Sequence, residues 1–254
     1  MAVPVQESVC PVCGGTGWKI VERGGLSGAT PCECAGDSRA KALRADAKIP
    51  PNFARASLEN FQIPQDNPIA AAGLRQVLLP VRSFVREFPV LDRPGLLLVG
   101  GHGTGKTHLA VGALKALIEK GHAGLFLDFQ ELLDRVRASY SGEGNRDVYA
   151  SALDAEILLL DDLGAHRATE FVEDLTTAII THRYNHRKPV IVTTNLPDPD
   201  ITGRVVESTG AGGTPIYKKT LQEIIGERSR SRLFEMCRTI RMPVIEDYRV
   251  KRSR

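Results

Sequence analysis

The sequence predicts an α/β fold: a parallel sheet flanked by helices, preceded by a small module that binds a metal ion. Three observations support this prediction. An apolar strand runs into a glycine-rich turn at 96–107, a second apolar run ends in Asp161 and Asp162, and four cysteines lie within the first 34 residues. Short apolar runs that alternate with helical segments are typical of parallel strands covered on both faces.

The length, the net charge and the distribution of apolar residues exclude some classes of protein. A chain of 254 residues is long enough for one main domain with a small appendage. The net charge of +3 is too small to indicate a nucleic-acid partner by itself, although basic residues concentrate near the C-terminal end. The first residues, MAVPVQES, lack the features of a secretion signal, and no apolar run approaches the length of a membrane span. We therefore expect a cytoplasmic protein with no membrane partner.

The glycine-rich turn matches G-x-x-x-x-G-K-T from Gly100 to Thr107, the pattern of a phosphate-binding P-loop. Its glycines let successive backbone N–H groups point at an anion, and the helix that begins at Lys106 adds the positive end of its dipole. Lys106 can reach the β- and γ-phosphates, and the Thr107 hydroxyl can ligate Mg²⁺. An ordinary turn between strand and helix is the alternative. The predicted nucleotide-binding residues are Gly100, Gly101, His102, Gly103, Thr104, Gly105, Lys106, Thr107 and His108.

Polar side chains also follow two later apolar runs. Asp161 and Asp162 end the run ILLLDD, and Asn195 follows the run VIVTT. Open α/β sheets bind ligands at the carboxyl ends of their strands, so we expect these side chains beside the P-loop. Asp161 would hold Mg²⁺ through water, Asp162 would orient or deprotonate the attacking water, and Asn195 would position water or sense the γ-phosphate. A strand followed by a polar turn is the alternative in both places.

The segment YKKTLQEIIGERSRSRLFEM is helical in character. Arg228 and Arg232 share one of its faces because they are four residues apart, whereas Arg230 points elsewhere. One of the pair can reach the γ-phosphate of a neighbouring subunit as an arginine finger. A solvated basic helix face is the alternative. The glycine-rich segment at 207–215 is predicted to be mobile.

The N-terminal cysteines are spaced as metal ligands. Cys10 and Cys13 form a C-x-x-C pair followed by glycines, and Cys32 and Cys34 form a C-x-C pair further along. Four thiolates favour tetrahedral Zn²⁺, and a segment this poor in apolar residues needs a metal ion to fold. We predict a zinc-binding knuckle over 1–36. Free thiols in a flexible tail and an iron–sulfur cluster are the alternatives.

Three further segments complete the predicted organisation. The connector at 37–62 is either a helical arm or a solvated linker, and its first part has good helix formers that end at Pro50 and Pro51. The aromatic residues of its segment FARASLENFQI suit docking on the main domain or contact with a nucleotide. The main domain spans 63–250, and 251–254 form a basic tail.

The chain resembles the bacterial DnaC/DnaI-type helicase loaders, with the IstB-type transposition helpers close behind. The resemblance lies in CPVCGGTGW, ASLENF, LLLVGGHGTGKTHLA, ILLLDDLGA, RYNHRKPVIVTTNL, GERSRSRL and the late DYR. It implies an AAA+ P-loop ATPase core in which the strand before Asn195 lies between the other two motif strands. It also implies binding of ATP and Mg²⁺, self-association through ATP interfaces, and partnership with single-stranded DNA and the replicative hexameric helicase.

The resemblance also assigns roles to single residues. Lys106 and Thr107 take the Walker A positions, Asp161 and Asp162 the Walker B positions, and Asn195 the sensor I position. Arg232 takes the position of the arginine finger, with Arg228 as its companion.

The chain departs from the broad AAA+ pattern in two ways. Asp162 stands where most AAA+ proteins have Glu, which suggests slow, switch-like hydrolysis, although the loaders share this feature. The glycine-rich segment before Arg228 is longer than the family pattern. Little chain remains after Asn195 for a full lid domain, and no sensor II arginine can be placed.

The leading hypothesis is therefore a helicase-loading ATPase that acts as an ATP-gated clamp. Arg135, Arg137 and Tyr140 are candidates for contact with DNA phosphates and bases, and the zinc knuckle would dock the helicase. The alternative is an IstB-like helper that binds duplex DNA and a transposase. The four N-terminal cysteines disfavour this alternative, because the helpers have no such zinc-binding segment in their family pattern. A small-molecule kinase is a further hypothesis, but the sequence has no substrate-lid pattern.

Overall fold

The computed structural model describes residues 10–14, 16–140, 147–165, 168–209, 215–248 and 250. Its strands are β1 (Trp18–Arg23), β2 (Leu26–Pro31), β3 (Gly95–Val99), β4 (Gly124–Asp128), β5 (Ile157–Asp161), β6 (Val190–Thr194), β7 (Val206–Thr209), β8 (Pro215–Tyr217) and β9 (Cys237–Arg241). Its helices are α1 (Glu33–Asp46), α2 (Pro68–Glu87), α3 (Lys106–Glu119), α4 (Phe129–Tyr140), α5 (Asp147–Asp154), α6 (Glu170–Asn185), α7 (Leu221–Ile225) and α8 (Glu227–Met236).

A five-stranded parallel sheet in the order β4-β5-β6-β3-β9 forms the centre of the main domain. This arrangement is typical of the AAA+ P-loop fold, as predicted. Strand β6 lies between β3 and β5, so the carboxyl ends of the three motif-bearing strands are adjacent. That adjacency brings residues from 100, 162 and 195 to one edge of the sheet.

The sheet separates two apolar cores because successive side chains of a strand point to opposite faces. Leu96 and Leu98 of β3 face the core formed with α2 and α3, while Leu97 and Val99 face the core formed with α6, α7 and α8. All five residues of β3 are buried, which explains why this strand is an uninterrupted apolar run. In the described part of the chain, no helix combines the length and the apolar composition that a membrane span requires.

The connector between the cysteines and the main domain is an ordered part of the fold. Helix α1 runs across the predicted boundary at 36–37, and Ala47 and Leu58 are buried in the core beside α3. Leu58 packs against Gly112 so closely that a Cβ there would lie 3.0 Å from the leucine side chain. The first part of the connector is therefore a helical arm, and its second part docks on the P-loop helix.

The predicted C-terminal helical segment is divided into two helices. Gly226 has a φ of +79°, and a side chain there would collide with the Glu173 carboxylate of α6. Helix α7 begins with a capping box in which Thr220 and Glu223 satisfy each other's backbone N–H groups. The turn at Gly226 lets both short helices pack their apolar faces on α6. Strand β9 begins at Cys237, whose thiol is fully buried beside Gly95.

One buried cation holds the sheet edge together. Arg183 of α6 is fully buried, and its guanidinium donates to the carbonyl oxygens of Ala152 and Ala155 at 3.0 Å and of Glu156 at 3.2 Å. It also donates to the carbonyl oxygen of Pro189. Burial lowers the pKa of Arg183 to about 10, which leaves it charged at neutral pH. The guanidinium therefore joins the end of α5 to the starts of β5 and β6.

We expect Arg183→Met to lower the free energy of unfolding by about 2–4 kcal/mol, because several buried carbonyl groups lose their donors. Urea denaturation followed by circular dichroism would measure this loss. The matched control is Arg75→Met, which makes the same change on the exposed face of α2 and should alter stability by less than about 0.5 kcal/mol. Equal effects of the two substitutions would contradict a special role for Arg183.

Candidate nucleotide site and cysteine cluster

The P-loop connects β3 to α3 at the carboxyl edge of the sheet. Gly105 precedes the helix with a φ of +90°, a conformation that favours glycine. The Thr104 hydroxyl donates to the carbonyl oxygen of Gly101 at 3.0 Å and closes the loop on itself. The Gly100 N–H donates to the carbonyl oxygen of Thr194 at 3.2 Å and ties the loop to β6. The loop is thus shaped by local hydrogen bonds and by its neighbour strand.

Segments that precede and follow the P-loop in the sequence pack against it. A Cβ at Gly105 would lie 2.7 Å from the Phe61 ring, and a Cβ at Gly103 would collide with Asp247. The Tyr248 N–H donates to the carbonyl oxygen of Gly103 at 3.3 Å. Phe61 belongs to the segment FARASLENFQI, whose aromatic residues the sequence predicts to dock on the main domain or to contact a nucleotide. Asp247 was not predicted at the site, and its only indication was that DYR belongs to the family resemblance. The contacts explain why glycine is required at both loop positions.

The predicted magnesium ligands lie together. The Asp161 carboxylate accepts a hydrogen bond from the Thr193 hydroxyl at 2.6 Å and another from the Thr107 side chain. Burial raises the pKa of Asp161, and the hydrogen bonds from Thr193 and Thr107 partly oppose this shift. Carboxylate and hydroxyl oxygens are the hard ligands that Mg²⁺ prefers. The pairing of Thr107 with Asp161 therefore fits a Mg²⁺ site.

Three predicted residues from three strand ends form one hydrogen-bonded chain. Lys106 is 6% exposed, and its ammonium donates to the carbonyl oxygen of Gly101 at 2.7 Å and to Asn195 Oδ1 at 2.6 Å. Asn195 Nδ2 in turn donates to the Asp162 carboxylate. Asp162 has a φ of +57°, and its N–H donates to the Thr193 hydroxyl at 2.9 Å. Thr193, which sequence reasoning overlooked, thus orients both acids.

The two histidines of the predicted nucleotide set lie in different surroundings. His102 is exposed on the loop. His108 Nε2 lies 3.0 Å from the carbonyl oxygen of Ser57 and 2.9 Å from Asn60 Oδ1, and its ring meets the edge of Phe61. His108 therefore holds the docked connector in place beside the loop.

The predicted arginine pair lies on α8, and its described contacts are with α6. The Arg232 guanidinium donates to the Thr181 hydroxyl at 2.6 Å and lies 5.6 Å from the centre of the Tyr184 ring. Arg228 is exposed. Arg230 points elsewhere, as predicted, and forms an ion pair with Asp198 at 2.6 Å. The structure therefore leaves the finger role of Arg228 and Arg232 as a prediction about a neighbouring subunit.

The candidate DNA residues lie on α4 beside acids of the same helix. Arg135 forms an ion pair with Glu131. Arg137 pairs with Asp134 at 3.7 Å and lies 5.1 Å from the centre of the Phe171 ring. The side chain of Tyr140 lies outside the described residues. Contact of these residues with DNA remains a prediction.

The four cysteines converge as the spacing predicts. Their sulfur atoms lie within 4.8 Å of one another, with 3.9 Å between Cys10 and Cys32 and 3.2 Å between Cys13 and Cys34. A tetrahedron with Zn–S bonds of about 2.3 Å has sulfur–sulfur edges of about 3.8 Å. The Gly17 N–H donates to Cys13 Sγ at 3.3 Å, a contact that would stabilise a thiolate there. The sulfur set therefore fits zinc.

The hairpin that joins the two cysteine pairs has little apolar core. Strands β1 and β2 pair in antiparallel fashion from Trp18 to Pro31. Ile20 and Leu26 are about four-fifths exposed, and Trp18 is 58% exposed. Such a hairpin is marginally stable by itself, so the cysteine cluster is its main source of order.

Comparison with known proteins agrees with this geometry. The family model of the IstB-like ATP binding protein matches residues 45–200. The phage-like element PBSX protein XkdC of Bacillus subtilis is 24% identical over 221 residues, which cover 82% of this chain and 78% of that protein. The replicative helicase loader DnaC of Escherichia coli K12 is 22% identical, and the matched region covers 58% of each chain.

The similarity also includes the three-dimensional fold, as comparison with a solved structure shows. The crystal structure of the DnaC helicase loader superimposes with a TM-score of 0.60 at 28% identity, covering 76% of this chain and 100% of that chain. The family match spans more than half of the sequence and includes the P-loop, both acids and Asn195. The chain therefore belongs to the family of IstB-like ATP binding proteins and has the AAA+ P-loop ATPase fold.

Proposed function

We propose that this protein is a replication ATPase that delivers the replicative hexameric helicase to single-stranded DNA, with ATP as its assembly switch. The observation that carries the proposal is the match between this chain and the whole of the DnaC loader structure, at 28% identity. The P-loop site supplies the ATP-dependent step, and the cysteine hairpin supplies a surface outside the ATPase core.

The roles of the site residues follow from their contacts. The backbone N–H groups of the P-loop would hold the β- and γ-phosphates, and Lys106 would exchange Asn195 for a phosphate oxygen. Thr107 and Asp161 would hold Mg²⁺, which neutralises developing charge on the phosphates. Asp162 would orient the attacking water and accept its proton. Because aspartate is one methylene shorter than glutamate, hydrolysis would be slow.

Asn195 is suited to report the state of the nucleotide. Its amide links Lys106 to Asp162 through one oxygen and one nitrogen. A γ-phosphate that draws Lys106 away would change this link and shift the segment that follows β6. That segment leads to Arg228 and Arg232, which would meet the nucleotide of a neighbouring subunit. ATP would thereby favour self-association.

We assign the remaining segments on the same basis. Residues 1–36 would form a zinc-binding module for helicase docking, and 37–62 would form the arm that connects it to the ATPase domain at 63–250. Residues 251–254 would add a basic tail. Zinc held by Cys10, Cys13, Cys32 and Cys34 would supply structural cross-linking rather than chemistry, because four thiolates leave no open coordination position.

The second candidate function is that of a transposition helper that coats duplex DNA and recruits a transposase. The matching family model favours it, since that model describes IstB-like proteins. The cysteine cluster favours the loader, because the family pattern of the IstB-type helpers has no such N-terminal zinc segment. The two functions differ in partner and in the form of DNA bound.

Native mass measurement of the protein mixed with the host replicative helicase would test the proposal. We expect a discrete complex with the intact hexamer, and its abundance should differ between ATP, ADP and no nucleotide. Absence of a complex in all three conditions, with the helicase intact, would refute the loader. ATP-dependent coating of duplex DNA would then support the transposition helper.

A further inference from the structure

A two-stranded ribbon lies on the chain segment between Asn195 and Arg228. We define the ribbon as residues 204–209 and 215–219, which include β7 and β8. Every residue of both strands is exposed. Val206, Ile216 and Tyr217 are large apolar residues, and each keeps roughly half of its surface in contact with solvent. Clustered exposed apolar side chains mark a binding surface more often than single ones do.

The base of the ribbon is fixed to the core. Asp198, which is fully buried, accepts hydrogen bonds from Arg230 Nε at 2.6 Å and from a terminal nitrogen of the same guanidinium at 2.7 Å. The Leu221 N–H donates to the carbonyl oxygen of Pro197 at 2.9 Å and joins the two ends of the segment. A buried ion pair therefore holds both ends of the ribbon in place while its strands stay exposed.

The ribbon presents an aromatic ring among cations. Tyr217 pairs with Val206 across the strands, and the Arg204 guanidinium lies 5.6 Å from the centre of the tyrosine ring. Lys218 and Lys219 follow directly. In the described part of the chain, no ion pair within 4.0 Å involves these three basic residues. The Tyr217 ring and the three cations can therefore contact the same ligand.

The charge of the ribbon favours an anionic partner. Between 204 and 219 the sequence has three basic residues and one acid, Glu207. Glu207 lies at the register shift between β7 and β8, where a bulge removes it from the regular strand alternation. The neighbouring acid Glu223 is engaged by Thr220 in the capping box of α7, and its carboxylate also attracts Lys219 and Arg204, so residues 204–223, with three basic residues and two acids, keep a net charge of +1. An exposed aromatic ring flanked by cations is the chemistry that binds single-stranded nucleic acid.

We propose that the ribbon is a single-strand-binding element: a base stacks on the open face of Tyr217, and Arg204, Lys218 and Lys219 contact the phosphates on either side of that base. This inference deepens the proposed function, because it rests on a role for single-stranded DNA and names the surface that contacts it. The ribbon leaves the same sheet edge as Asn195, so nucleotide-dependent movement of that segment would reach the DNA contact directly.

Fluorescence anisotropy with a labelled oligothymidine and the full-length protein, in the presence of ATP and Mg²⁺, would test the ribbon. We expect Tyr217→Leu to weaken binding about five- to tenfold, because leucine keeps apolar volume but loses the stacking surface. Tyr217→Phe is the matched control and should bind as the wild type does. The triple variant Arg204→Gln, Lys218→Gln, Lys219→Gln should reduce the slope of log affinity against log salt by about 2.

The outcomes separate this inference from the proposed function. Equal binding by the wild type, Tyr217→Leu and the triple variant would overturn the ribbon, even if the helicase complex forms. Loss of the helicase complex in Tyr217→Leu with unchanged binding of the oligonucleotide would also overturn it, and would assign the ribbon to a protein partner. A wild type that binds the oligonucleotide through Tyr217 but forms no helicase complex would support the ribbon and refute the loader.

Discussion

Lys106→Ala should weaken ATP binding about 10- to 100-fold and remove measurable ATP hydrolysis. The ammonium is the one side-chain cation inside the P-loop, and the variant cannot form the charge-assisted hydrogen bond, worth about 1.5–3 kcal/mol, that Lys106 would donate to a phosphate oxygen. The substitution also leaves the Asn195 amide oxygen without this donor, so the link to Asp162 loosens. Titration with a fluorescent ATP analogue would give the affinity, and phosphate release would give the rate.

The control for this prediction is Lys115→Ala on the same helix. Lys115 donates to the carbonyl oxygen of Ala54 at 2.8 Å, two and a half helical turns beyond the loop. The Lys115→Ala variant should bind ATP as the wild type does, with a small loss of folding stability. Unchanged ATP affinity in Lys106→Ala would exclude the P-loop as the nucleotide site.

Asp162→Asn should retain ATP binding while hydrolysis falls, because the substitution removes the carboxylate but not the phosphate contacts.

Removal of zinc should unfold the cysteine hairpin while the ATPase core stays folded. Because the hairpin has little apolar core, we expect a bound zinc ion to provide most of its stability; structural zinc contributes on the order of 10 kcal/mol in small peptides. We expect about one zinc per chain by elemental analysis. A zinc-selective chelator, added with Mg²⁺ in excess, should speed amide exchange in β1 and β2 about 100-fold or more and leave ATP binding intact.

Cysteine variants provide the comparison. The double variant Cys13→Ser, Cys34→Ser should lose the zinc and the exchange protection of the hairpin. Cys237→Ala should keep both, because that thiol is buried in the core far from the cluster in sequence, and burial raises its pKa. A protein that contains no zinc, or a hairpin whose exchange is unaffected by the chelator, would show that the four thiols do not serve as zinc ligands.

Most of the sheet could be predicted because its strands are buried on both faces. A strand such as β3 must be apolar at every position, and the polar residues that end β5 and β6 must therefore lie at the carboxyl edge. The structure joins Lys106, Asn195 and Asp162 by hydrogen bonds at this edge, with Asp161 at the end of β5. The family resemblance implied the position of β6 between the other two motif strands, and the strand order has it there.

Other elements could not be predicted because their sequences carry weak periodicity. Strands β1, β2, β7 and β8 belong to exposed hairpins, where no buried face imposes alternation. Helix α5 follows a glycine-rich break, and its amphipathic pattern is too short to stand out. The sequence predicts one helical segment after 217, whereas the structure divides it at Gly226. The positive φ of Gly226 depends on the contact of this residue with α6.

The sequence by itself determined the P-loop, the paired acids, the four-cysteine spacing and the parallel α/β core, because each depends on local pattern and strand burial. Only the tertiary structure decided which partners complete the site. Phe61 comes to the P-loop from the segment before it in the sequence and Asp247 from the C-terminal segment, and Thr193 of β6 contacts both acids at the end of the neighbouring strand β5. These contacts depend on how segments that are distant in the sequence pack together. The hydrophobic periodicity of those segments does not indicate which of them come into contact.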